Sequence, residues 1–205
     1  EIKKKKIIKL KKNGKKFKFI KIDISNKNAL KKVFITYKPD YVFNLAAQAG
    51  VRYSIENPDA YMKANIIGFY NILDLSKKTK VKCLFYASTS SVYGNSKKKI
   101  LKESDNTDNP LSLYAATKKT NEVLAYSYFS MFKLSSIGFR FFTVYGPNGR
   151  PDMSIVKFLN SMRKNKHIDL YNNGNHARDF TYIDDCVNGI VSTFQYVLKT
   201  KKPVY

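Results

Sequence analysis

Val81-Lys-Cys-Leu-Phe-Tyr-Ala-Ser88, followed at once by Thr89-Ser90-Ser91, is the stretch on which the fold turns. An apolar run broken by a single charge, too short for a helix and ending in hydroxyls, is the pattern of a strand buried on both faces of a parallel sheet. Working outward from it, residues 94 to 110 are a polar loop with Gly94 and Pro110, and Ser112 to Phe132 reads as a long helix. That helix carries Tyr114 and Lys118, an i,i+4 pair on one face, where an ammonium beneath a phenol favours the ionised phenol. This is the physical recipe for a tyrosine acting as a base near neutral pH. A tyrosine and a lysine on an ordinary half-exposed helix is the plainer reading of the pair taken alone. Ser136 to Val144 is the next strand.

Toward the N-terminus, Tyr41 to Ala47 is an apolar strand interrupted only by Asn44, and a helix runs from about Pro58 to Lys77. Phe17 to Ile24 alternates and predicts a strand ending at Asp23. Residues 26 to 37 are helical through Leu30, Val33, Phe34 and Tyr37. Residues 1 to 16 read as the end of a helix, with Ile2, Ile7, Ile8 and Leu10 among lysines, closed near Asn13-Gly14. Strands and helices alternate throughout, so the fold class is α/β, a parallel sheet with crossover helices. Ligands collect beyond the carboxyl ends of such strands, and Asp23, Ala46-Ala47-Gln48, Thr89 and Thr143 fall there. After Tyr145-Gly146-Pro147 the pattern loosens into a smaller cap. It contains a helix over 154 to 164, short strands over His167 to Tyr171 and Asp179 to Ile183, and a helix from Asp184 to Leu198.

With 205 residues, 43% of them apolar, the chain can bury a sizeable core. No run reaches the length of a membrane span and no start resembles a signal peptide. Cys83 and Cys186 sit in apolar stretches without ligand spacing, which suits reduced core residues of a cytoplasmic protein and implies no metal site. The net charge of +23 raises nucleic acid as a partner. The excess is spread-out lysine, 33 against 5 arginines, and no nucleic-acid motif accompanies it, so a solvated surface is the reading adopted. Four of the arginines, Arg52, Arg140, Arg150 and Arg178, lie in or beside glycine-, proline- and aromatic-marked blocks. Arginine in a lysine-rich chain suggests that a planar fork is needed there, as for phosphate or carboxylate.

Five blocks stand in order. They are Asn44-Leu-Ala-Ala-Gln-Ala-Gly-Val-Arg-Tyr-Ser-Ile-Glu-Asn-Pro58, Tyr86-Ala-Ser-Thr-Ser-Ser-Val-Tyr-Gly94 and Ser112-Leu-Tyr-Ala-Ala-Thr-Lys-Lys119. Arg140-Phe-Phe-Thr-Val-Tyr-Gly-Pro147 with Gly149-Arg-Pro-Asp-Met153, and Arg178-Asp-Phe-Thr-Tyr-Ile-Asp-Asp185, complete the set. In these blocks the chain resembles the extended short-chain dehydrogenase/reductase superfamily, and within it closely the UDP-glucuronate 4-epimerases. The resemblance implies a Rossmann-like sheet with a partial, smaller substrate-binding cap. Residues 1–146 are expected as a partial NAD-binding domain and 147–205 as a partial UDP-sugar region, with the chain crossing between them. The glycine-rich turn that usually cradles the dinucleotide is absent from these 205 residues. Matched to the family, Glu1 falls past the first two strands and Tyr205 before the end of the substrate domain. The N-terminal strands are therefore expected to be missing, and residues 1–205 alone to fold poorly and bind NAD weakly.

The resemblance further implies transient oxidation at C4 of a UDP-sugar, most simply UDP-glucuronate to UDP-galacturonate, with NAD as cofactor. Thr89, Tyr114 and Lys118 would be catalytic. Asp23, Ile24, Ala46, Ala47, Gln48 and Asn65, with Tyr114 and Lys118, would hold the cofactor. Ser90, Ser91, Thr143, Arg150, Tyr171 and Arg178 would hold the substrate. Related decarboxylases and dehydratases carry an acidic residue where Ser91 stands, which favours epimerisation here. A homodimer is expected through the helix bearing Tyr114 and its predecessor, with no nucleic-acid or membrane partner. The competing readings are a non-catalytic remnant of such an enzyme and a related UDP-hexose 4-epimerase.

Overall fold

The computed structural model describes residues 7, 8, 10, 12, 17–169, 171–175, 177–200, 204 and 205, without the side chains of residues 171 and 172. The chain divides into two units, one of residues 22–142 with 193–205, the other of residues 1–21 with 143–192.

In the larger unit, β1 (Tyr41–Asn44), β2 (Cys83–Thr89) and β3 (Ser136–Phe141) form a parallel sheet in that order. Val42 lies opposite Leu84, and Ser88 opposite Arg140. The central position of β2 explains its apolar sequence. Leu84 and Tyr86 face one layer of helices, Cys83 and Phe85 the opposite layer, and none is more than 2% exposed. Burial of side chains this size contributes about 1.5–3 kcal/mol each.

Helix α1 (Lys27–Tyr37) precedes β1. It is capped by the Asn26 side chain, which accepts from Ala29 N–H, and closes at Lys38 in the left-handed region. Between β1 and β2 come α2 (Tyr53–Glu56), α3 (Pro58–Tyr61), a π-helical stretch (Met62–Ile67) and α4 (Gly68–Lys78). Helix α5 (Leu113–Phe132) joins β2 to β3. Leu30 and Phe34 of α1, Phe69, Ile72 and Leu73 of α4 and Ala125 of α5 cover the Leu84 face. α4 also carries a buried carboxylate, Asp74, which Lys27 and Lys78 reach at 2.8 and 2.9 Å. Burial works against its ionisation, but the two lysine hydrogen bonds outweigh this and hold the carboxyl below its usual range.

In the smaller unit β4 (Thr143–Tyr145) and β5 (Phe180–Tyr182) pair in parallel, with α6 (Ser154–Arg163) between them in sequence. Helix α7 (Ile183–Thr200) begins there, and its later turns belong to the larger unit, where Phe194 and Val197 pack on the Phe85 face. Phe194 meets the Phe85 ring edge-on at 5.8 Å, and Phe43 stacks on Phe85 at 4.5 Å. No described helix is long and apolar enough to cross a membrane.

The structure departs from the periodicity in four places. Phe17 to Ile24 joins no ladder among the described residues. Residues 17–21 are all exposed, and only Ile22 and Ile24 lie against the core. An extended segment becomes a strand only where a neighbour completes the hydrogen-bond ladder, and β1 is the edge of the described sheet. The strand expected over Tyr41 to Ala47 ends at Asn44. The run Ser136 to Val144 breaks at Phe142, its first part pairing with β2 and its last with β5. His167 to Tyr171 is not a strand: residues 166–169 are irregular and Tyr171–Gly174 is a 3-10 turn, with Leu170 outside the described residues. Asn165 and Asn173, at φ 47° and 51°, interrupt extended backbone around it. The helix expected over residues 1–16 falls largely on residues outside those described.

Candidate active site

Thr89 ends β2 and caps the 3-10 turn Ser90–Tyr93: its Oγ1 accepts from Ser91 N–H at 3.2 Å and lies 3.2 Å from Ser91 Oγ. A threonine at this point lets the backbone turn sharply while keeping three hydroxyls at the carboxyl edge of the sheet. Thr89 is buried, and Ser90 and Ser91 are half-buried. The turn closes at Gly94, with φ 59° and ψ −127°, a region that side chains all but exclude. A Cβ there would also overlap the Asn109 carbonyl oxygen. Gly94→Ala is expected to destabilise the fold by about 3 kcal/mol, read as a lower urea midpoint at unchanged slope.

α5 starts at Ser112, whose side chain accepts from Ala115 N–H at 3.1 Å, so Tyr114 lies in its first turn and Lys118 one turn on. Lys118 is only 2% exposed, and its Nζ donates to the Ala87 carbonyl at 2.7 Å. Burial pushes the ammonium down to about 8, low for a lysine yet still mainly cationic at pH 7. The Tyr114 ring is half-buried and lies edge-on to Tyr61 at 6.2 Å. Tyr61 in turn donates to the backbone carbonyls of Ala49 and Gly50.

The loop after β1 is held from the π-helical stretch. Asn65, 1% exposed, accepts from Gln48 N–H at 2.8 Å and donates back to the Gln48 carbonyl at 3.0 Å. Its Nδ2 also donates to Thr117 Oγ1 at 3.0 Å, and Thr117 donates to the Tyr114 carbonyl at 2.8 Å. With its amide nitrogen facing the neighbouring acceptors, Asn121 adds bonds to the Asn65 and Thr117 carbonyls. The widened π turn aims a buried asparagine at this loop, a common use of such turns. The clamp leaves Ala46 and Ala47 exposed at the strand end.

The other expected residues are placed as follows. Asp23 caps the turn before α1, accepting from Ser25 N–H and Oγ at 2.9 and 2.8 Å. Those bonds hold its carboxyl below the usual range. Ile24 packs its side chain on the core and over Gly68, while its carbonyl accepts from Asn71 at 3.0 Å. In the smaller unit, Thr143 and Arg150 line a cavity of about 200 Å³ with Tyr145, Gly146, Met153 and Leu159. Arg150 is paired with Asp152, and Arg178 is exposed and donates to the Ala177 carbonyl. The Tyr171 side chain lies outside the described residues.

Sequence reasoning did not find Ser88, Thr117, Asn121 or Glu122. The available signal was spacing, because Lys118, Asn121 and Glu122 share the sheet-facing side of α5. Arg140, expected to fork onto an anion, does so on the chain's own Glu122.

A parallel sheet with a threonine at its central strand end, a buried lysine beneath it and a tyrosine one turn before that lysine defines a class of α/β oxidoreductase-like proteins. The chain belongs to the NAD dependent epimerase/dehydratase family, whose model matches residues 2–204. It is 54% identical over 174 residues to protein CapI of Staphylococcus aureus, covering 85% of this chain and 52% of that protein. It is 48% identical over 175 residues to a probable UDP-glucuronate 4-epimerase of Rhizobium meliloti, covering 85% and 51%. The crystal structure of UDP-glucuronic acid 4-epimerase from Bacillus cereus, in complex with UDP-glucuronic acid and NAD, superposes with a TM-score of 0.88 at 36% identity. That match covers 99% of this chain and 62% of the other. The chain spans about half the length of these curated relatives.

Proposed function

We propose that the protein catalyses NAD-dependent 4-epimerisation of a UDP-sugar, converting UDP-glucuronate to UDP-galacturonate. The observation that carries this reading is the placement of Lys118 on the Ala87 carbonyl, between the turn bearing Tyr114 and the strand end bearing Thr89. The relatives named UDP-glucuronate 4-epimerase support the choice of sugar.

The residues at the β1 end fit a dinucleotide. Ala46 and Ala47 are small and exposed there, and the Gln48 backbone is fixed by Asn65, so a pyrophosphate could approach the chain closely. Residues 1–146 would hold NAD through these residues, Asp23, the Ile24 backbone, Tyr114 and Lys118. When bound, NAD supplies a hydride acceptor and donor for sugar C4.

Tyr114 would take the proton of the 4-hydroxyl, its phenolate favoured by the Lys118 ammonium, while Thr89 hydrogen-bonds the same oxygen. The proton returns from Tyr114 after the sugar has presented its other face. A ketone at C4 makes the sugar acid a β-keto acid, which is prone to lose carbon dioxide. Ser90 and Ser91 would restrain the carboxylate against that loss, and Thr143 and Arg150 are proposed as substrate-binding residues of the smaller unit. In residues 147–205, Tyr171 and Arg178 would hold the UDP. The protein would act in the cytoplasm as a homodimer through α4 and α5, whose exposed Tyr70, Val123, Tyr126 and Met131 support that pairing. The test is turnover of UDP-glucuronate by the full protein with NAD. UDP-galacturonate as main product is expected, and a pentose nucleotide as main product would replace this reading with decarboxylation.

A further inference from the structure

Glu122 sits on α5 one turn beyond Lys118 and two beyond Tyr114, 8% exposed. Its Oε1 accepts from Ser88 Oγ at 2.6 Å and from Arg140 Nε at 3.0 Å, and its Oε2 accepts from Arg140 Nη2 at 2.9 Å. Arg140 arrives from β3 directly opposite Ser88. Its Nη1 donates to the Tyr93 hydroxyl at 3.2 Å and the Glu103 carbonyl at 2.9 Å, and its guanidinium lies 5.0 Å over the Tyr93 ring. One ion pair therefore joins the residue before Thr89, the last residue of the 3-10 turn, the loop beyond it, β3 and the helix carrying Tyr114 and Lys118.

We infer that Glu122 and Arg140 are positioning residues, fixing Thr89, Ser90 and Ser91 in register with Tyr114 and Lys118; this rests on the functional reading above. The fully buried residues of α5 are all small, polar or charged, Ala115, Thr117, Lys118, Asn121, Glu122 and Ala125, and its larger apolar contacts with the core, Leu124 and Tyr128, are only partly buried, so apolar packing alone leaves its position along the sheet weakly determined. Directional bonds at Ser88 and Ala87 determine it instead. Arg140 has a second effect. A carboxylate at i+4 from Lys118 would ordinarily pair with that ammonium. Here both carboxylate oxygens are taken by Arg140 and Ser88, and Lys118 keeps the Ala87 carbonyl as acceptor. A buried ion pair is weak evidence for stability, since an apolar replacement of both partners is often tolerated, so its geometric effect separates from its effect on folding.

The experiment compares Glu122→Gln, Arg140→Lys, Arg140→Met and the double variant Glu122→Met/Arg140→Met in the full, NAD-loaded protein. Displacement of a reacting group by about 1 Å costs about 10²-fold, so kcat is expected to fall about 30- to 100-fold in Glu122→Gln with KM within about twofold. Arg140→Lys should recover part of what Arg140→Met loses. The double variant should melt no lower than wild type and still be slow. A kcat within threefold of wild type in the double variant, or losses confined to KM, would overturn the inference. If the wild type turns over no UDP-sugar, the functional reading fails instead. Amide exchange then decides the clamp: Glu122→Gln should speed exchange over residues 88–93 and not in α1, and unchanged exchange at 88–93 would overturn it.

Discussion

Tyr114→Phe is expected to lower kcat for UDP-glucuronate epimerisation about 10³-fold, with KM and thermal midpoint nearly unchanged. The substitution deletes one oxygen. The ring that lies edge-on to Tyr61 remains, as do the Thr117 bond to the residue 114 carbonyl and the Ser112 cap, so neither α5 nor the Asn65 clamp on the cofactor loop is disturbed. What is lost is the only phenol in the turn above Lys118, and a positioned base accounts for about 10²- to 10⁴-fold in rate. The check is steady-state turnover beside a circular-dichroism melt and NAD content after purification. A loss smaller than tenfold would show that another group takes the proton, with Ser91 and Thr89 as the alternatives.

Lys118→Met should separate activity from stability. The ammonium is 2% exposed, and burial pushes it from the ordinary 10.5 to about 8. Between those values the unfolded chain keeps a proton that the folded chain has released. Wild-type stability therefore rises with pH across that window, and the cost of burying the charge is felt in full below pH 8. That cost is on the order of 3 kcal/mol, and methionine would in turn give up the bond to Ala87, which is worth about 1.5–3 kcal/mol. Methionine has similar length and no charge. Lys118→Met is expected to be as stable as wild type or about 1 kcal/mol more so at pH 7. That advantage should shrink as pH rises from 8 to 10.5, measured by urea unfolding at the two ends. Turnover should fall about 10²- to 10³-fold, and the acid limb of the kcat profile should move up by about one to two pH units, because the phenolate loses its cation. A variant destabilised equally at pH 7 and 10 would mean that the lysine is held for packing alone.

Much of this protein was legible without coordinates. The apolar run from Val81 to Ser88 forms the central strand because only a strand covered on both faces tolerates such a sequence, and the i,i+4 spacing of Tyr114 and Lys118 puts them on one helix face in any fold. The helices read over residues 26–37 and 112–132 form as Lys27–Tyr37 and Leu113–Phe132, again a matter of neighbours in sequence. The five blocks pointed to the family that the comparison with known proteins then established.

What sequence could not say concerns partners far apart in the chain. Phe17 to Ile24 alternates like a strand and joins no ladder among the described residues. Ser136 to Val144 reads as one strand and serves two sheets. Arg140 promised a bidentate anion and found Glu122, eighteen residues away on another element. Periodicity and capping depend on residues a few positions apart, so Tyr114, Lys118 and Thr89 could be named from their own stretches. A ladder, a buried ion pair or a clamp such as Asn65 on Gln48 depends on which distant segments the core brings together, and only the tertiary structure decides that.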